Sequence, residues 1–248
     1  MTLPDASLSH IHRADGSATY LQNGYSIIGG VNGPIEVGRR DELPEEATID
    51  VIVRPAVGVG GTRERHLESI IHSTLQHVIL IQNHPRTLIQ VTLQVIRMPD
   101  SDTFNSKKRQ FSSPLRILPS LLQTALLALL SASIPLSTTF TASLITVARG
   151  SNTVINPSPE DLQNARSTHV LAFSAEGDLL VAESQGEFEI GDWERVFEMG
   201  LHAARSGSEN RKGADSDVVM LDDDQGGALR GLVQQKIEKD QKWKENIK

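Results

Sequence analysis

RPAVGVGGTRERHLESIIHSTLQHVILIQNHPRTLIQVTLQVI, residues 54–96, decides the architecture of this chain. The alternating run Ile49-Asp50-Val51-Ile52-Val53 enters it as a strand, Gly58-Val59-Gly60-Gly61-Thr62 turns the chain, a two-faced helix follows, and residues 87–96 leave it as a second strand. Leu67, Ile70, Ile71, Thr74, Leu75 and Val78 recur at helical spacing and predict one buried face, while Glu68, His72, Ser73, Gln76 and His77 look outward or sideways. Thr62 is the expected N-cap and Pro85 the expected end. In the second strand Ile89, Val91, Leu93 and Val95 take one face, Gln90, Thr92 and Gln94 the other.

A glycine-rich turn between strand and helix is where a phosphate-cradling loop belongs, so its spelling matters. A dinucleotide fingerprint needs glycine at position 63, where Arg63 stands, and a P-loop needs a closing Gly-Lys-Ser/Thr. The plain reading is a strand-to-helix connection; a nucleotide-binding enzyme built on Gly58 to Thr62 is the minor alternative. Arg63 and Arg65 fall in the first helical turn, where the helix dipole disfavours cations by a few tenths up to about 1 kcal/mol. Cations placed there point to an anionic partner.

Upstream, residues 18–22 and 25–31 flank Asn23-Gly24, a strong hairpin signal, and Asp15-Gly16-Ser17 reads as a turn. Downstream, residues 99–114 form a polar loop carrying Lys107, Lys108 and Arg109, and the apolar run 117–135 is broken by Pro119, Gln123, Thr124 and serines. That run reads as a buried core helix, with no membrane span. Strand-rich runs occupy 139–148, 168–173 and 179–184, and a closing helix capped by Asp192 buries Trp193, Val196, Phe197, Leu201 and Ala204. The expected organisation is a flexible N-terminus over 1–8, an α+β domain over 9–205, a disordered acidic segment over 206–227, and a C-terminal helix over 228–248.

The chain holds 31 acidic against 24 basic residues, a net charge of -7, which argues against a free-standing nucleic-acid binder but allows a basic patch on an acidic body. No cysteine is present, so thiolate catalysis, disulfides and cysteine zinc sites are excluded and the lean is intracellular. Residues 1–12 lack a basic segment followed by an apolar run, so no secretory leader is expected. His66, His72, His77 and His84 lack metal-binding spacing, and no metal or cofactor is expected. Glu160-Asp161 and Glu187 to Glu189 are candidate carboxylate pairs, or helix starts and solvated strand ends. The candidate cations are Arg63, Arg65, Arg86, Arg97 and the triplet Lys107, Lys108 and Arg109, for an anion or for surface salt bridges.

Read together, Arg13-Ala14-Asp15-Gly16-Ser17-Ala18, Gly29-Gly30-Val31-Asn32-Gly33-Pro34-Ile35-Glu36-Val37, His84-Pro85-Arg86-Thr87 leading to Leu93-Gln94-Val95-Ile96, and Ile134-Pro135-Leu136 after an apolar helix resemble the ribonuclease PH family. More narrowly, they resemble the ring subunits of eukaryotic RNA exosomes. The resemblance covers roughly residues 9–205. It implies an α+β, RNase PH-like fold (ribosomal protein S5 domain 2-like), with two sheets and packed helices, and six such domains in a ring around an RNA channel. It also implies RNase PH-like ring partners, an S1/KH-type RNA-binding cap subunit, single-stranded RNA in the channel, and residence in nucleus, nucleolus and cytoplasm.

Active members of the family cleave RNA from its 3′ end with inorganic phosphate. In them, the strand corresponding to Val95-Ile96 runs into a Gln-Ala-Asp-Gly-Gly type loop; this chain has Arg97-Met98-Pro99-Asp100-Ser101. Asn156 and Ser167 stand where active relatives carry carboxylates, while Arg86 matches a phosphate-binding arginine. The resemblance therefore implies a catalytically silent ring subunit, with Arg63, Arg65, Arg86 and Arg97 as channel or phosphate contacts. The alternative is a working phosphate-dependent 3′–5′ exoribonuclease with Arg86 on phosphate and Glu160 or Asp161 as acid.

Overall fold

The hairpin and the strand–helix–strand unit join in a single sheet. The computed structural model describes residues 5–38, 42–99, 114–148, 153–209, 231–238 and 241. Strands β1 (Asp5–Leu8), β2 (Gly16–Gln22), β3 (Tyr25–Glu36), β4 (Thr48–Arg54) and β5 (Thr87–Arg97) lie in the order β1-β2-β3-β5-β4. Asn23 and Gly24 turn the β2–β3 hairpin with φ of 50° and 81°, the left-handed pair that a two-residue primed turn needs. Only β4 and β5 run parallel, in register from Thr48 opposite Leu88 to Arg54 opposite Gln94. The helix between them is the crossover that a parallel pair requires.

That helix, α1 (Thr62–Val78), buries Leu67, Ile71, Thr74, Leu75 and Val78 against the sheet face that also buries Val51, Val91 and Leu93. Beside it lies α2 (Leu118–Ser131), in which every residue but Leu130 is buried. By composition Pro114–Ser131 is long and apolar enough to cross a membrane, yet 83% of it is covered by the protein itself, as a core helix requires. Gly16 lets α2 approach β2: a Cβ there would lie 2.2 Å from the backbone nitrogen of Ala132.

On the other side of α2 stands a four-stranded antiparallel sheet of β6 (Phe140–Ala148), β7 (Thr153–Ile155), β8 (Ala165–Ser174) and β9 (Leu179–Gly186), ordered β7-β6-β8-β9. Its apolar strands are covered on both faces. Leu144, Val170 and Ala172 join the main core, whereas Ile145, Val147, Leu171 and Phe173 pack against Val196 of α4 (Ile190–Glu209). A short helix, α3 (Pro159–Asn164), precedes β8. The layers are therefore sheet, α1 with α2, sheet, α4, an α+β arrangement of two sheets and packed helices.

Several local expectations change. Residues 5–8, assigned to a flexible N-terminus, pair with β2 because backbone hydrogen bonds hold a strand too short to show a period. Gly16 and Ser17, read as a turn, already belong to β2. The N-cap of α1 is Gly61, one residue before Thr62, and the helix stops at Val78, short of Pro85. Asp192 lies within the first turn of α4, which continues beyond Arg205 to Glu209. The loop over 100–113, with Lys107, Lys108 and Arg109, and the acidic stretch over 210–227 lie outside the described residues. Of the expected C-terminal helix, 231–238 is helical, and Leu232 and Val233 pack on the main core.

Candidate functional site

Because β4 and β5 are parallel, their C-terminal ends lie side by side, and the arginines that end them share one edge. Arg54 closes β4, Arg97 closes β5 opposite Ser26, and α1 begins there with Arg63 half-buried and Arg65 exposed. The carboxylates among these cations are committed to backbone. Glu64 Oε2 accepts the Gly61 N–H at 2.7 Å, and Glu68 Oε1 accepts the Val53 N–H at 2.8 Å. Glu64 thus holds the position at the helix start where the anion of a nucleotide loop would sit.

Arg86 does not join them. It precedes β5 at the opposite end, roughly 35 Å from Arg97 at about 3.3 Å per residue. There it takes a left-handed φ of 63°, donates its N–H to the Leu43 carbonyl at 3.1 Å, and pairs through Nε with Glu42 at 3.3 Å. The structure brings three of the four predicted arginines to one end and adds Arg54, which strand register alone reveals.

At the same end as Arg97, the tip of the β2–β3 hairpin, the start of α2 and the turn after β7 converge. Gln22, Asn23, Tyr25, Arg116, Ser120 and Asn156 line a cavity of about 20 Å³ between them. That space holds about one water molecule and no phosphate. The helix start offers an anion little, since Pro119, in its first turn, has no N–H. Asn156 is held in place by its own N–H, which reaches the Leu144 carbonyl at 2.8 Å. Arg116 donates from Nη2 to the Leu162 carbonyl at 3.5 Å. Sequence reasoning passed over this cation, whose place is visible only once α2, α3 and the hairpin are seen together.

The remaining candidates separate. Ser167 faces α4, away from Asn156: its Oγ lies 2.9 Å from Nε2 of the buried His169, whose Nδ1 is 2.8 Å from Ser184 Oγ. Phe188 and Trp193 enclose that imidazole, with ring centroids at 4.9 Å and 5.9 Å. Burial pushes the His169 pKa down, and the Asp192 carboxylate opposes that in part. The only sequence signal for this cluster is that His169 shares strand parity with Leu171 and Phe173. Asp161 caps α3, its Oδ2 accepting from Ser158 N–H at 3.0 Å and from Ser158 Oγ at 2.8 Å, and Glu160 is exposed beside it. Glu187 and Glu189 are exposed before α4. Among the described residues no three His, Asp or Glu side chains converge as metal ligands do.

Comparison with known proteins adds relationships to this geometry. Residues 5–135 match the model of the 3′ exoribonuclease family, RNase PH domain 1. Exosome complex component RRP46 of Saccharomyces cerevisiae is 30% identical over 202 residues, 79% of this chain and 87% of the yeast protein. The Oryza sativa protein called exosome complex exonuclease RRP46 homolog is 37% identical over 86 residues, 35% of this chain and 36% of the rice one. The crystal structure of rice Rrp46 superposes with a TM-score of 0.70 at 26% identity, over 83% of this chain and 91% of that one.

Proposed function

This chain belongs to the RNase PH family of 3′ exoribonucleases, and from that premise we propose that it serves as a non-catalytic subunit of an RNA exosome ring. In this reading it supports 3′–5′ RNA processing and degradation by completing a six-membered ring with other RNase PH-like subunits and helping to line the RNA channel. An S1/KH-type cap subunit above the ring and single-stranded RNA within it are its partners, in the nucleus, nucleolus and cytoplasm. The yeast relative's designation as an exosome complex component supports the ring role.

One observation carries the catalytic silence: the cavity at the start of α2 measures only about 20 Å³, and among the described residues it is lined by Gln22, Arg116 and Asn156 with no carboxylate. Phosphorolysis needs donors preorganised around phosphate and a group that moves a proton or holds a metal at the scissile bond. Arg116 and the amides offer donors, but the space is too small for phosphate and the described lining offers no carboxylate to move a proton or hold a metal. A working nuclease is the second reading, and the word exonuclease in the rice relative's name favours it. There Asp161 would have to leave its cap on Ser158 to act as an acid.

The test is to incubate the purified chain, alone and in a reconstituted ring, with 3′-labelled RNA and inorganic phosphate. No nucleoside diphosphate is expected above a ring lacking this subunit. Release by the chain alone, abolished in Asp161→Asn, overturns the reading.

A further inference from the structure

We propose that the free edge of β9, with the apolar surface that follows it, receives an extended basic segment of a partner protein, which adds as a strand beside β9. The inference does not rest on the ring role. β9 ends the order β7-β6-β8-β9, so alternate N–H and C=O groups face β8 and the others point away from the sheet. Among the described residues no side chain or loop backbone takes up that outer row. From Val181 to Gly186 the strand keeps an unbroken register with β8 and contains neither proline nor lysine, the usual guards of an edge.

The surface at the end of this edge selects the partner. Phe188 is 41% exposed, and Ile190, the first residue of α4, is 80% exposed. Phe188 is nonetheless anchored: its ring meets His169 edge-on at 4.9 Å, and Trp193 lies 6.4 Å away. Glu187 and Glu189 flank it and Glu194 follows in the first turns of α4, all three exposed. The two cations close by, Arg166 and Arg195, both pair with the buried Asp192.

Negative charge around an exposed aromatic ring and an exposed isoleucine repels an RNA backbone, so the partner is protein. It attracts a peptide that alternates lysine or arginine with aliphatic residues. The alternation matters because successive side chains of an added strand fall on opposite faces, which lets aliphatic ones cover Ile190 while a cation lies over the Phe188 ring. Main-chain bonds to β9 supply affinity, and these side chains supply the choice of partner.

The full-length protein is titrated with the blocked peptide Gly-Ser-Lys-Val-Arg-Val-Lys-Ser-Gly, followed by calorimetry and by amide exchange along β9. Binding is expected, with slowed exchange at alternate amides between Val181 and Gly186. A copy with glutamate in place of the three cations, and a copy N-methylated at its three central residues, should each bind about tenfold more weakly. Glu187→Lys with Glu189→Lys should weaken the basic peptide about tenfold, and Ile190→Ser and Phe188→Leu about threefold each. Glu36→Lys with Glu45→Lys, at exposed positions elsewhere, should change nothing. Absence of binding, equal affinity for the three peptides, or an equal loss in the two double variants overturns the proposal. So does slow exchange along the outer edge with no peptide present. If it is lost in Lys107→Glu with Lys108→Glu and Arg109→Glu, the edge belongs to a segment of the chain itself; if it arises only in a reconstituted ring, the edge belongs to a neighbouring subunit.

Discussion

His169 is 0% exposed, and its two ring nitrogens meet two serine hydroxyls. Either serine can accept, so hydrogen bonding alone permits the charged ring; burial is what disfavours it, outweighing the nearby Asp192 carboxylate. The folded pKa therefore lies below the unfolded value of 6.5. In acid the unfolded chain binds a proton at this position before the folded one does. Stability is fully present above the unfolded pKa and declines as pH falls below it, by at most about 1.4 kcal/mol per pH unit, until the folded pKa is reached. The urea midpoint should drop between about pH 7.5 and about pH 5.5, and His169→Gln should remove that part of the slope. Parallel slopes in the two proteins would refute the assignment. Sequence shows only that His169 shares strand parity with Leu171 and Phe173; its serine partners and its aromatic enclosure were not legible there. Gly16 was equally opaque, because its reason for being glycine is the end of α2, more than a hundred residues away.

Elements with a long period were legible and short or edge-bound ones were not. The face of α1, the alternation of β5 and the core character of α2 all follow from residue spacing. By contrast, β1 and β7, of 4 and 3 residues, exist through pairing with a neighbour and leave no periodic trace. The ends of α1 were misplaced for a related reason: Glu64 reaches back to the Gly61 N–H and fixes the start, a side-chain choice that spacing does not reveal. A second carboxylate of α1 has a larger role. β4 is an edge strand, and on its open side the Val53 N–H donates to Glu68 Oε1. The helix thereby ties down the edge of the sheet it crosses. Replacing Glu68 with leucine leaves that half-buried donor unpaired and should cost about 1–2 kcal/mol. Amide exchange at Val53 should accelerate in Glu68→Leu and stay slow in Glu68→Gln, which retains an acceptor. Equal protection of Val53 in both variants would show that the tie is incidental.

At the scale of the whole molecule, the α+β architecture followed from the order of elements, whereas the grouping of charges required the direction of every strand. Four arginines spaced along one stretch of sequence look equivalent. Parallel pairing sends Arg63, Arg65 and Arg97 to one end, together with Arg54, and leaves Arg86 at the other, held by Glu42. The small cavity with Asn156 lies at the arginine-rich end, so the surface proposed to meet RNA and the site proposed to be silent are neighbours. If RNA passes over that end, reversing Arg65 and Arg97 to glutamate in a reconstituted ring should weaken single-stranded RNA binding. It should also reduce the slope of log affinity against log salt by roughly 1–2, at about 0.7 for each phosphate no longer neutralised. Arg86→Glu should leave that slope unchanged. Binding would be measured on rings whose assembly has been verified by size-exclusion chromatography, because an arginine at a subunit interface would lower assembly first. A reduced slope in Arg86→Glu, with no change in the double variant, would move the RNA path to the opposite end of the sheet. In that case the arginines at the start of α1 and the end of β5 would be left to ring salt bridges.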